Sequence, residues 1–174
     1  MTELRDYQSS VITQIDTAIA AGKRRPLLVA ATGAGKTVIA AEVIGDYMTE
    51  GNRVLILVHR RELVAQMSVK LHAAGIDHGI IQAGHPSRPG AMVQIASIQT
   101  LHARAVRSTR LEPPPANLVV VDEAHHARAR TYQQIVNLYP DAILLGMTAT
   151  PCRSDGRGLG TSSTASSNAH RSST

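Results

Sequence analysis

The sequence predicts an α/β domain with a mostly parallel sheet covered by helices on both faces. Two observations carry this. Short apolar runs alternate with segments of helical period along the first 150 or so residues. Gly, Asn and Pro separate them, so each run reads as a buried strand and each periodic segment as a crossover helix.

Taken in order, residues 4–20 have apolar side chains at helical spacing (Val11, Ile12, Ile15, Ile19), and the helix ends at Gly22. Pro26 opens a buried strand over 27–31, followed by a Gly-rich turn and a helix over 36–50 that Gly51 and Asn52 break. A strand over 54–58 and an amphipathic helix over 62–74 follow, the helix stopped by Gly75. Residues 76–82 read as a strand, 83–90 as a loop carrying Pro86 and Pro89, 92–96 as a strand and 97–106 as helical. Pro113, Pro114 and Pro115 form a rigid linker into 118–121, the most apolar strand of the chain. A helix over 125–139 and a strand over 142–147 complete the pattern. From Arg153 to Thr174 Ser, Thr, Gly, Ala, Asn and Arg dominate, and the expectation is a disordered tail beyond a domain of residues 1–152.

Composition narrows the class. At 43% hydrophobic the chain is ordinary for a soluble globular protein, yet it has no Phe and no Trp, so its core rests on aliphatic residues and Met. The formal charge of +5 fits a nucleic-acid partner. It fits equally an Ala- and Arg-rich composition from GC-rich coding, so charge alone decides nothing. Cys152 is the only cysteine, which excludes an intramolecular disulfide and fits a reducing cytoplasm. No signal peptide and no membrane-length apolar run is present, and a soluble cytoplasmic protein is expected.

The first chemical signal is Ala30-Ala31-Thr32-Gly33-Ala34-Gly35-Lys36-Thr37, which ends a strand and opens a helix. Small residues let backbone N–H groups close around phosphate oxygens, and the helix N-terminus adds partial positive charge. Lys36 would reach the outer phosphates of ATP, and the Thr37 hydroxyl would ligate Mg2+. Ala30 stands where the commonest form of this phosphate loop has Gly. The second signal is the pair Asp122-Glu123 at the carboxyl end of the strand 118–121, where open α/β sheets bind ligands. Asp122 would hold magnesium, and Glu123 would orient or deprotonate an attacking water. A solvated acidic pair capping the next helix is the bland alternative, weakened by the phosphate loop's need for an acidic partner. His125 and His126 point about 100° apart on a helix, a poor metal pair. His125 reads better as a hydrogen-bonding or signalling residue.

With these residues the chain resembles the DEAD/DEAH-box helicases of superfamily two. Asp122-Glu123-Ala124-His125 spells their DEAH sequence, and Ala31 to Thr37 matches their motif I. Met147-Thr148-Ala149-Thr150-Pro151 matches motif III, and His59-Arg60-Arg61-Glu62-Leu63 is similar to motif Ia. Ile95-Ala96-Ser97-Ile98-Gln99-Thr100-Leu101 resembles the next segment, and Leu4-Arg5-Asp6-Tyr7-Gln8 the N-terminal adenine-reading motif. The segments occur in the family's order over residues 4–151, closest to the branch of restriction-enzyme motors and bacterial and phage DNA helicases. His59 and Arg60 depart from the Pro-Thr of the RNA branch, so DNA is the expected nucleic acid.

The resemblance implies a RecA-like P-loop NTPase domain using ATP and Mg2+. Gln8 with Arg5 would contact adenine, while Thr32, Gly33, Ala34 and Gly35 would wrap the phosphates. Arg61, Gln99 and Thr100 would touch nucleic-acid phosphates; a solvated helix start explains them almost as well. Thr148 and Thr150, with His125, would couple nucleotide to strand tracking. Family members carry a second RecA-like domain that supplies arginine fingers, which the segment after motif III is too short to hold. The chain is therefore expected to be the ATP-binding domain of a DNA helicase or translocase with little activity alone. The alternatives are a non-hydrolysing nucleic-acid-binding module, or one subunit of a split motor such as a restriction or phage replication complex.

Overall fold

The strand Leu118–Val121 has no solvent-facing residue, and the architecture follows from covering both of its sides. Our computed structural model describes residues 4–31, 33–108, 110–124, 130–149 and the backbone of 164–166. In chain order the elements are α1 (Asp6–Ala20), β1 (Leu27–Val29), α2 (Lys36–Thr49), β2 (Val54–Val58), α3 (Arg61–Ala73), β3 (Gly79–Ile81) and β4 (Val93–Ser97). Then come α4 (Ile98–Leu101), running into a π-helical turn (His102–Arg107), β5 (Leu118–Val121), α5 (Arg130–Val136), β6 (Ile143–Thr148) and β7 (Thr164–Ser166). Among the described residues the strands form one sheet of order β3-β4-β2-β5-β6-β1-β7, with every pairing parallel.

Successive strand residues face opposite sides, and the core divides accordingly. Val54, Ile56, Val58, Leu118 and Val120 pack beneath α1, α2 and α3 with Ile15, Ile39, Ile44 and Leu71. Leu55, Leu57, Val119 and Val121 face the other way, against Leu101, Tyr132 and Ile135 of α4 and α5. Aliphatic side chains fill both layers, which is how the fold forms without Phe or Trp. Among the described residues no helix is long and apolar enough to cross a membrane.

Several boundaries differ from the sequence pattern, each for a local reason. The strand expected over 27–31 ends at Val29: after the Ala30 N–H donates to the Thr148 carbonyl (3.1 Å), the chain turns, with Ala34 N–H on the Ala31 carbonyl (3.0 Å). The strand expected over 76–82 is only Gly79–Ile81, because Ile76 N–H closes the end of α3 on the Leu71 carbonyl (2.9 Å). Gly79 lets β3 lie against the Gln94 side chain, whose amide donates to the Arg88 carbonyl (2.6 Å). The helix expected over 97–106 is an α-turn capped by Ser97 that widens into the π-helical turn, with the Ser108 hydroxyl back-bonded to the Ala103 carbonyl (2.9 Å). Of the helix expected over 125–139, residues 125–129 lie outside the described residues. Its end tightens to three-residue steps, Leu138 N–H to Ile135 and Tyr139 N–H to Val136.

Within 153–174, read as structureless, Thr164–Ser166 pairs in parallel with β1, Leu27 opposite Thr164 and Val29 opposite Ser166. Backbone pairing needs no apolar side chain, so hydropathy gave no sign of it. The rest of that segment lies outside the described residues.

Ile56 is fully buried at the centre of the sheet. Ile56→Ala is expected to lower unfolding free energy by about 3 kcal/mol, read as a shift in the urea midpoint at unchanged slope.

Candidate functional site

Because the sheet is parallel, the carboxyl ends of β1, β2, β4, β5 and β6 share one edge. There β1 and β5 flank β6, which sets them about 10 Å apart at one strand spacing each. The phosphate loop leaves β1, and the acidic pair leaves β5.

Gly33 (φ +84°) and Gly35 (φ +77°) hold left-handed backbone, which a side chain would strain. Gly35 caps α2, with Val38 and Ile39 N–H groups donating to its carbonyl (2.9 and 3.1 Å). By helix geometry the N–H groups of Gly35, Lys36 and Thr37 at the start of α2 have no intrahelical acceptor, and the first turn holds no acidic residue to compete with an anion. The Lys36 ammonium donates to the Ala30 carbonyl (3.0 Å), across the mouth of its own loop. Thr32 lies outside the described residues.

The N-terminal motif folds onto this loop. Gln8 is buried, and its Oε1 accepts from the Arg5 N–H (2.9 Å) at the start of α1, half of a capping box. Its amide nitrogen sits so close to Gly35 that a Cβ there would collide with it. The Tyr7 hydroxyl donates to the Ala34 carbonyl (2.5 Å). Arg5 itself is exposed.

At β5, Asp122 N–H donates to the Leu57 carbonyl (3.0 Å), and Asp122 Oδ1 accepts from Glu123 N–H (3.1 Å). Glu123 has φ +56°, a left-handed conformation that costs a non-glycine residue about 1–2 kcal/mol. Burial first, and then the charge of Glu123, hold Asp122 above the ordinary carboxylate range; the hydrogen bond from the Glu123 N–H, then Lys70 and then Lys36 act against that rise. Lys70, on α3, also donates its ammonium to the Thr37 hydroxyl (3.3 Å). Thr37 and Asp122 thus offer hard oxygen donors beside a carboxylate that gains from a cation, and these suit Mg2+. Among the described residues no three His, Cys, Asp or Glu side chains gather as a protein-only metal cage. A metal here would share its shell with a ligand, as Mg2+ does on phosphates.

Thr148 is fully buried at the end of β6, and its carbonyl takes the Ala30 N–H, so β6 and the phosphate loop are joined directly. His125 and Thr150 lie outside the described residues. Arg61 opens α3 and Gln99 lies in the first turn of α4, both exposed and both following the paired ends of β2 and β4, where Val58 lies opposite Ser97. Thr100 is half-buried and contributes to a cap: its N–H donates to Ser97 Oγ (3.2 Å), and its hydroxyl accepts from Ser97 (2.8 Å). Two contacts escaped the sequence reading. Tyr7 stood inside a motif already singled out, so its neighbour Gln8 was a signal. Lys70 had none, since its partner lies 33 positions away.

The raised Asp122 has a measurable consequence. Folding takes up a proton between the ordinary carboxylate pKa of 3.8 and the raised folded value, so Asp122 lowers stability as pH climbs through that window and keeps it lowered above. Asp122→Asn, which retains the acceptor for Glu123 N–H, is expected to raise the neutral-pH urea midpoint of the ligand-free chain and flatten its acid-side slope. An unchanged or lower midpoint would contradict a net cost of this half-buried charge.

Residues 1–153 match the family model described as type III restriction enzyme, res subunit. A 51.5 kDa protein of a Lactococcus phage is 35% identical over 129 residues, 73% of this chain and 24% of that protein. The DNA 3'-5' translocase XPB2 of Sulfurisphaera tokodaii is 30% identical over 156 residues, 89% of this chain and 32% of that one. This chain therefore spans a third or less of the length of these relatives. Solved structures share its fold, and two of them illustrate it. The UvsW helicase of bacteriophage T4 has a TM-score of 0.68 at 19% identity, over 85% of this chain and 53% of that one. The Sulfolobus solfataricus SWI2/SNF2 ATPase core in complex with dsDNA has a TM-score of 0.68 at 17% identity, over 86% of this chain and 32% of that one. The fold is thus RecA-like, and the chain belongs to the type III restriction enzyme res-subunit family of superfamily-two helicases.

Proposed function

We propose that residues 1–152 are the ATP-binding domain of a DNA-dependent ATPase, a helicase or translocase that couples Mg-ATP hydrolysis to movement on or opening of DNA. One observation carries the reading: the phosphate loop and the Asp122-Glu123 pair leave strands β1 and β5 on the same sheet edge, with only β6 between them.

In this reading the first-turn N–H groups of α2, with Thr32, Gly33, Ala34 and Gly35, cradle the phosphates. Lys36 leaves the Ala30 carbonyl for the phosphate oxygens. The Thr37 hydroxyl and the Asp122 carboxylate would hold Mg2+, which would supply positive charge against the phosphate oxygens. Glu123 orients the attacking water and accepts its proton. Gln8, braced by the Arg5 backbone, reads adenine, and Arg5 stands beside it.

Coupling runs through Thr148, whose carbonyl is bonded to the start of the phosphate loop, and through Thr150 and His125 of the matching motifs. Arg61, Gln99 and Thr100 meet DNA phosphates at the same edge. The DNA named for the Sulfurisphaera translocase and the Sulfolobus complex supports DNA as the partner, and the +5 charge is compatible with it. Arginines from a second RecA-like domain, on the same polypeptide or a partner subunit, would complete the site, a contribution worth roughly 10³–10⁵ in rate. The lone Cys152 supports action in the cytoplasm.

The test is ATP turnover by the purified chain with and without single- and double-stranded DNA, with Glu123→Gln as the blank. Turnover that DNA stimulates and the substitution removes is the motor outcome. Turnover no greater than the blank, with ATP still bound, marks a half-site awaiting its arginines. Lys36→Ala is expected to weaken ATP binding at least about tenfold, and wild-type affinity in that variant would sink the phosphate-loop assignment.

A further inference from the structure

We propose that Lys70 is a resident counter-ion of the metal site: its ammonium occupies the ligand-free site at the Thr37 hydroxyl and gives way when Mg2+ arrives with nucleotide. The proposal rests on the nucleotide-site reading above. It adds a residue that lies in none of the motifs.

The geometry is specific. Lys70 lies on α3, which follows β2, whereas Thr37 lies in the first turn of α2. Its ammonium nonetheless reaches across to the Thr37 hydroxyl at 3.3 Å. Lys36, the residue that would otherwise neutralise the site, is turned onto the Ala30 carbonyl at 3.0 Å. Asp122 and Glu123 adjoin each other at the end of β5, and the charge of Lys70 bears on Asp122 more than that of Lys36 does. One cation therefore serves two groups that Mg2+ would take, the Thr37 oxygen and the Asp122 carboxylate.

Exchange is easy on physical grounds. Lys70 is exposed, so its withdrawal leaves no buried charge, and its flexible four-carbon stem can carry the ammonium into water. While it stays, its charge opposes the metal's. The ligand-free site is thereby neutralised at the expense of metal affinity.

The experiment titrates the full chain with a fluorescent ADP analogue in Mg2+ and in EDTA, and separately titrates Mn2+ alone by electron paramagnetic resonance. Lys70→Met, which keeps the stem and removes the charge, is expected to bind Mn2+ about threefold to tenfold tighter. It should also increase the ratio of ADP affinity in Mg2+ to that in EDTA by a similar factor. Lys70→Arg should restore the wild-type ratio, which a purely packing role would not require. An unchanged or smaller ratio in Lys70→Met overturns the proposal. Loss of ADP affinity in EDTA as well as in Mg2+ also overturns it, making Lys70 a phosphate ligand. If Lys36→Ala binds the analogue as the wild type does, the nucleotide-site reading itself fails. The Mn2+ titration then decides on Lys70 alone.

Discussion

Parallel hydrogen bonding of β1 to β6 and of β6 to β5 is the constraint from which the site follows. Val29 is level with Thr148, and Val121 with Gly146, so the phosphate loop and the acidic pair start within about two residues of the same height. An antiparallel β6 would send its loop to the opposite edge. The parallel arrangement is available because both faces of the sheet are covered, and that requires strands apolar on every residue, as β2 and β5 are. Gly146 belongs to the same economy of space: a Cβ there would crowd Leu27 of β1 and Ala124 just past the acidic pair.

Against that favourable frame stand groups held in unfavourable states. Asp122 is half-buried beside another carboxylate, and Glu123 has left-handed backbone. Local contacts engage the groups around them: Lys36 on a backbone carbonyl, Lys70 on a threonine hydroxyl, Gln8 against Gly35. Site and scaffold are linked by the Ala30–Thr148 bond, so displacement of the loop bears directly on β6.

What could be read from the sequence was whatever local pattern encodes. The strands over 54–58 and 118–121 were legible to the residue, because a run of Val, Ile and Leu bounded by Asn52 and Pro115 leaves no other register. The Gly-rich turn after β1 was legible because Gly33 and Gly35 take up its left-handed backbone. The end of β1 was not, since it depends on where Ala30 meets Thr148, more than a hundred residues away in sequence. β3 was overextended because Ile76 is apolar for the sake of α3's end and not for a strand. The cap at Thr100 was not legible either: its hydroxyl accepts from Ser97, a contact its motif position did not encode. Lys70 read as one more surface charge on an amphipathic helix, because nothing in its neighbourhood encodes the 33-residue leap to Thr37.

The left-handed backbone at Glu123 has a consequence for how such a chain diversifies. Gly or Asn would sit at φ +56° with less strain, so a population screened only for folding or thermal endurance would drift away from Glu at this position. A carboxylate persists there only while something other than durability is being selected. In a library of variants, the identity of residue 123 would therefore serve as a record of whether chemistry, or merely survival of the fold, had been the criterion.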